Sequence, residues 1–239
     1  MLDLEQQNRR RELYRRLHPE WRPATETYAE LASRFLNPGA RVLDLGCGRG
    51  GLIEQLDHPP ALMTGADADW LSLREHRLNS ISRVATGGLS LPFGSQSFDL
   101  VLASWLFEHL PQPAETLNEV RRVLKPGGAI IFITPNGRHP VSYMNRLLGR
   151  LEGLQGVIVK QIYGREQEDT FTTYYRANTL KQISKLSLDA GLEQVVLTAI
   201  PDPTYLAFTE KLYQLATMLE DILPQSRYIH LVGLLRRPG

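Results

Sequence analysis

The sequence predicts an α/β protein built on a doubly wound, mostly parallel sheet. Two observations carry this. Residues 42–51 read Val-Leu-Asp-Leu-Gly-Cys-Gly-Arg-Gly-Gly, an apolar strand running into a glycine turn. From there apolar runs of strand length alternate with helical runs, the order that yields parallel strands with helices on both faces.

Along the chain, Leu4, Leu13 and Leu17 are set among charges with helical spacing, Pro19 and Pro23 interrupt, and helical periodicity resumes over 25–36. The alternation then predicts strand 41–45, helix 51–56, strand 61–66, helix 69–79, strands 82–86 and 98–103, helix 113–124 and strand 129–134. A polar, aromatic stretch over 135–176 follows, then helix 178–190, strand 192–200, helix 204–223 and a closing strand over 228–235. An irregular stretch of that length in a compact domain reads as a lid. No repeat, low-complexity tract or linker marks off a second folded unit.

Composition narrows the function classes. The 239 residues carry 27 Lys and Arg against 26 Asp and Glu, a net charge of +1 that gives no whole-molecule attraction to nucleic acid or a membrane surface. Cys47 is the single cysteine, which excludes an internal disulfide and a thiolate metal cluster within one chain. The first residues lack the apolar segment of a signal peptide and no apolar run approaches the ~20 residues of a membrane span, so the expected location is the cytoplasm.

The glycine turn asks for a nucleotide-like cofactor. Glycines at 46, 48 and 50 let the backbone turn sharply and approach a ligand with no Cβ in the way. Gly46, Gly48 and Gly51 also satisfy the spacing of dinucleotide-binding turns. Asp44 tilts the choice, because its carboxylate repels a pyrophosphate and welcomes a ligand carrying an ammonium and a sulfonium, such as S-adenosylmethionine.

Further motifs stand in order: Leu91-Pro92-Phe93 continuing to Ser97-Phe98-Asp99-Leu100-Val101, then Leu106-Phe107-Glu108-His109-Leu110, then Glu119 through Arg122-Val123-Leu124-Lys125-Pro126-Gly127-Gly128. With the glycine turn they resemble the class I S-adenosylmethionine-dependent methyltransferases, in the broad small-molecule group, over roughly residues 25 to 136. The resemblance implies a seven-stranded Rossmann-like sheet with an antiparallel last strand and helical or loop lid additions. It implies one methyltransferase domain over 1–239, with a helical cap over 1–36 and substrate-side insertions over 136–176 and 201–225. The implied cofactor contacts are Asp44, Gly46, Cys47, Gly48 and Gly50 in the turn, Asp67 and Ala68 at the end of the second strand, Gly88 and Leu89 at the adenine edge, and Ser104 after the fourth strand, with S-adenosylhomocysteine as product. Asp67 would accept the ribose hydroxyls, or merely cap the helix that follows. One departure stands at Gly87, where the family usually has an aspartate facing the adenine amino group.

The expected chemistry is in-line displacement at the sulfonium methyl, which chiefly needs alignment and exclusion of water. A base is needed only where the nucleophile carries a proton, and His109 and His139 are the candidates, each balanced against a structural reading. No metal is required. Cys47 reads as a packing residue, Trp70 as either an adenine stacker or helix cover, and the arginines at 9, 10, 11, 15 and 16 as a solvated face or an anion contact. His18 and Tyr14 on the leading helix could cap the site. Tyr163, Phe171, Tyr174 and Tyr175, with Glu168, Asp169 and Arg176, suit a pocket wall. The expected substrate is a small metabolite, a quinone or other lipid, or a sugar. An NAD-dependent oxidoreductase ranks far behind, lacking a Tyr-x-x-x-Lys pair, and a methyltransferase-like binding subunit without turnover is the alternative from another class.

Overall fold

The computed structural model describes residues 4–148, 172–206 and 209–239. Seven strands form one sheet: β1 (Val42–Leu45), β2 (Met63–Asp67), β3 (Ser82–Ala85), β4 (Phe98–Ser104), β5 (Leu124–Pro135), β6 (Glu193–Ile200) and β7 (His230–Arg236). Their spatial order is β3-β2-β1-β4-β5-β7-β6. The β1–β5 neighbours pair in parallel, and β7 runs antiparallel to both β5 and β6. The doubly wound, mostly parallel sheet with an antiparallel last strand is therefore present as expected.

Strand periodicity sorts the core. Leu100 and Leu102 of β4 and Ile131 and Ile133 of β5 pack with Tyr28 and Leu31 of α2 (Ala24–Ser33) on one face. Val101, Ala103, Ile130 and Phe132 pack on the other with Leu117, Val120 and Val123 of α4 (Pro113–Val123). The α4 residues recur every three or four positions, and Pro113 starts the helix where its missing N–H leaves nothing unpaired. The N-terminal α1 (Leu4–Leu17) lies beside α7 (Glu210–Ile222), with Tyr213 donating to the Arg10 carbonyl at 3.0 Å. Among the described residues the other α-helices are α3 (Trp70–Arg74), α5 (Pro140–Leu148) and α6 (Leu180–Asp189).

Three helices differ from expectation. The segment after the glycine turn is a 3-10 helix over Leu52–Gln55, because Pro59 and Pro60 stop the chain from continuing. The helix expected over 69–79 is only α3, since the Arg77 N–H leaves it to donate to the Arg49 carbonyl at 3.0 Å, tying this segment to the glycine turn. The helix expected over 204–223 is a 3-10 turn at Pro203–Leu206 followed by α7, which Thr209 caps by accepting from the Leu212 N–H.

The sequence motifs act largely as staples. Glu119 accepts from the Leu91 N–H at 2.8 Å, while Arg122 donates to the carbonyls of Phe93 at 2.7 Å and Leu91 at 2.9 Å. Lys125 pairs with Asp99 at 2.8 Å, and Asp99 also accepts from the Arg41 N–H. Buried Glu108 accepts from the Thr134 hydroxyl at 2.8 Å, and its carbonyl accepts the Tyr174 N–H at 2.7 Å. Among the described residues no helix is long and apolar enough to cross a membrane.

Candidate active site

The glycine turn is shaped by its neighbours. The N–H groups of Gly46 and Cys47 both donate to the Ala66 carbonyl at the end of β2, at 2.7 and 3.3 Å. Gly46 holds φ +75, and a Cβ there would lie 2.8 Å from Leu106 Cδ1, so only glycine fits beneath the turn that follows β4. Asp67 accepts from the Gly48 N–H and from its near neighbour the Asp69 N–H, each at 2.8 Å. Its carboxylate thus stands between the turn and the start of α3. The Thr86 N–H donates to the Asp67 carbonyl at 2.8 Å, which brings the segment carrying Gly88 and Leu89 toward the same strand end.

A cleft of about 370 Å³ opens beside the turn. Of the ten expected cofactor residues it is lined by Asp44, Gly46, Cys47, Gly50 and Ser104. Gly48, Asp67, Ala68, Gly88 and Leu89 lie outside that lining, with Gly88 packed against Thr116 and Leu89 and Ala68 exposed. Asp44 is 4% exposed, and among the described residues no lysine or arginine pairs with it. Burial, and secondarily the Asp67 carboxylate, push its pKa up to about 7. Ser104 donates to the hydroxyl of buried Tyr28 at 3.2 Å, fastening α2 to the cleft wall.

Cys47 is buried against Gly65, where a Cβ would come 2.8 Å from its sulfur. Burial raises its thiol pKa far above the usual value, so it packs and does not attack. The two histidines are not brought together at the cleft. His109 follows β4, with Nδ1 3.0 Å from the Thr172 carbonyl. His139 is 2% exposed, accepts from the Val141 N–H at 3.2 Å through Nδ1, and turns Nε2 toward Glu220 of α7 at 3.4 Å. Trp70 is 59% exposed, so it does not cover the sheet. His18 faces Asp221 of α7, and Tyr14 stacks beside His18. Tyr163, Phe171, Glu168 and Asp169 lie outside the described residues, whereas Arg176 donates to the Pro111 carbonyl and lies over the Tyr174 ring.

Sequence reasoning did not assign Gly51, Leu52, Glu54, Gln55, Arg77 or Trp105 to the cleft they line. Trp105 follows directly after Ser104, and Glu54 and Arg77 form an ion pair at 2.6 Å on the rim. Nothing in the sequence pairs Glu54 with Arg77; the short 3-10 helix and the curtailed α3 bring them together. Among the described residues no group of three or more His, Cys, Asp and Glu side chains is placed to hold a metal ion.

Residues 43–132 match the family model described as "Methyltransferase domain". The chain is 36% identical over 118 residues to a ubiquinone biosynthesis O-methyltransferase of Alkalilimnicola ehrlichii, covering 46% of this chain and 47% of that one. It spans about half the length of the curated relatives it matches first. Among solved structures, the protein complexed with the Haloferax volcanii Trm112 methyltransferase activator superposes with a TM-score of 0.61 at 19% identity, over 90% of this chain and 89% of that one. A geranyl diphosphate C-methyltransferase of Streptomyces coelicolor, in complex with S-adenosyl-L-homocysteine, gives 0.59 at 13% identity over 89% and 80%. At these identities the structural likenesses speak for the fold.

Proposed function

We propose that this chain, whose residues 43–132 match a methyltransferase domain, is a class I S-adenosylmethionine-dependent methyltransferase that moves a methyl group from S-adenosylmethionine to an oxygen, nitrogen or carbon nucleophile of a small molecule. One observation carries the reading: Asp44 is a buried carboxylate lining the cleft beside the glycine turn, and among the described residues no lysine or arginine supplies it with a paired cation. A ligand ammonium supplies that cation, and the turn at Gly46 offers backbone where a Cβ has no room. The residues present therefore fit the cofactor.

In this reading Asp44 takes the ammonium, Gly46, Cys47, Gly48 and Gly50 contact the amino-acid end, Asp67 and Ala68 the ribose, Gly88 and Leu89 the adenine edge, and Ser104 the cleft wall. When bound, the cofactor supplies an already activated methyl group. The chain's own task is to align and to keep water out, which is where much of the rate enhancement arises. His109, at the carboxyl end of β4, is the better placed of the two candidates to take a proton, because His139 is buried against Glu220. The names of the relatives favour a quinone or other lipid acceptor ahead of a sugar.

Calorimetric titration with S-adenosylmethionine, S-adenosylhomocysteine and NADH, with Asp67→Ala as control, tests the reading. Micromolar binding of the first two, lost in the variant, is expected; binding of NADH alone would overturn it. A second reading, a cofactor-binding subunit without turnover, is favoured by Gly87 and by a cleft lined by neither histidine. Binding without turnover on any acceptor, alongside a tight protein partner, would select it.

A further inference from the structure

Trp105 is held in a conformation that its side chain makes expensive. Its backbone N–H donates to the Ile133 carbonyl at 2.8 Å, pinning it just past the end of β4 beside β5, and its φ is +56. This left-handed region is open to glycine and strains a bulky residue. Trp105 is 37% exposed and lines the cleft together with Asp44 and Ser104. The next residue, Leu106, lies over Gly46, so the turn from Ser104 to Leu106 closes directly onto the glycine turn.

Behind the ring stands His230, the first residue of β7, with ring centroids 5.1 Å apart and planes at 71°. Burial keeps that imidazole neutral, with a pKa near 4, so no positive charge backs the indole. Arg11, whose charge acts on His230, is paired with Asp202 at 3.1 Å. On the rim, the Arg77 guanidinium is tied by Glu54 at 2.6 Å. The cleft therefore presents a buried carboxylate and an aromatic face, with its nearby cations already paired. Such a lining attracts positive charge.

The loaded and spent forms of the cofactor share their ammonium, carboxylate, ribose and adenine, and differ by one methyl group and one positive charge on sulfur. Asp44 meets a group common to both. Resting on the methyltransferase reading, we infer that Trp105 turns its ring to the sulfonium and makes the cleft prefer the methyl-loaded cofactor to the spent thioether. The retained strain then has a use that glycine at 105 would not supply. A cation over an indole face is worth roughly a 2- to 30-fold preference.

The test is the ratio of two dissociation constants, measured by calorimetry at pH 8 on the full chain for the wild type and for Trp105→Phe, Trp105→Leu and Trp105→Gly. The ratio for S-adenosylhomocysteine over S-adenosylmethionine is expected to stay within about threefold in Trp105→Phe, which keeps a π face. In Trp105→Leu and Trp105→Gly it falls by about twofold or more, and further than in Trp105→Phe, through weaker binding of S-adenosylmethionine with S-adenosylhomocysteine little changed. Trp105→Gly, relieved of the left-handed strain, melts no lower than the wild type, which separates loss of the ring from loss of the fold. A ratio unchanged in all three variants, or equal weakening of both ligands, would overturn the inference while leaving the methyltransferase reading intact. Failure of the wild type to bind either ligand would overturn both.

Discussion

Gly233 of β7 faces Phe132 of β5 across the antiparallel pair, and the Phe132 ring fills the space a side chain at 233 would need. A Cβ at 233 would stand 2.2 Å from Phe132 Cζ. Phe132 in turn stacks on Phe107 at 4.4 Å, in the segment that carries Glu108 and His109. Gly233→Ala is expected to cost about 3 kcal/mol through overpacking, since neither strand can retreat from a central position. Denaturant unfolding measures it; a loss below about 1 kcal/mol would mean that the ring has room to move.

The raised pKa of Asp44 makes cofactor binding depend on pH. Only the carboxylate form attracts an ammonium, so affinity for S-adenosylmethionine is expected to rise up to about pH 7 and level off above it. Below that point each pH unit weakens binding by about tenfold. Calorimetry across pH 5 to 8.5 reads the profile, and Asp44→Asn should bind weakly with a flat one.

Two buried groups give the ligand-free protein opposing pH responses. Asp44 titrates near 7 when folded and near 3.8 when unfolded, so between those values the native state holds the extra proton and stability falls as pH rises. His230 titrates near 4 when folded and 6.5 when unfolded, so there the unfolded state holds the extra proton, and stability is lost as pH drops through that window. Asp44→Asn should therefore steepen the acid-side loss of stability, and His230→Gln should flatten it, in melting curves recorded from pH 4 to 7.

Buried Asn136 joins the end of β5 to the entry of β7. It donates to the carbonyls of Ser226 at 3.1 Å and Tyr228 at 2.8 Å, and its own carbonyl accepts from the Arg138 N–H. Asn136→Ala leaves these groups without partners and is expected to cost about 2–3 kcal/mol. Asn136→Asp, which keeps the acceptor and loses the donors, should be no better.

His139 and Glu220 face each other with side chains 3% exposed. Removing either leaves a polar group stranded, so each alanine variant should lose about 3 kcal/mol, and the double variant clearly less than the sum. Additive losses would show that the two do not interact.

The glycine turn, the strand order up to β5 and the stapling motifs were legible because each is a local pattern with one physical solution. The short helices were not. The Arg77 to Arg49 bond that ends the α3 region joins segments whose meeting no periodicity announces. Within the site, Asp44 and Gly46 could be read from charge and spacing. Trp105 could not, because a left-handed φ on a tryptophan has no signature in composition. The Arg11 to Asp202 pair spans 191 positions and arises only when α1 lies beside the end of β6.

The place of β7 bears on how the molecule is assembled. Among the described residues β6 finds its sheet partner only in β7, a strand some thirty residues further along, and β5 has its outer edge covered by the same strand. A growing chain can zip β1 to β5 together as it emerges, yet it must hold β5 with an open apolar edge and β6 unattached until β7 slots between them. Closing that gap is a long-range step, slow by its loop entropy and exposed to strand exchange with other chains. The strand that completes the sheet is thus also the one that ends the period in which it is prone to aggregate.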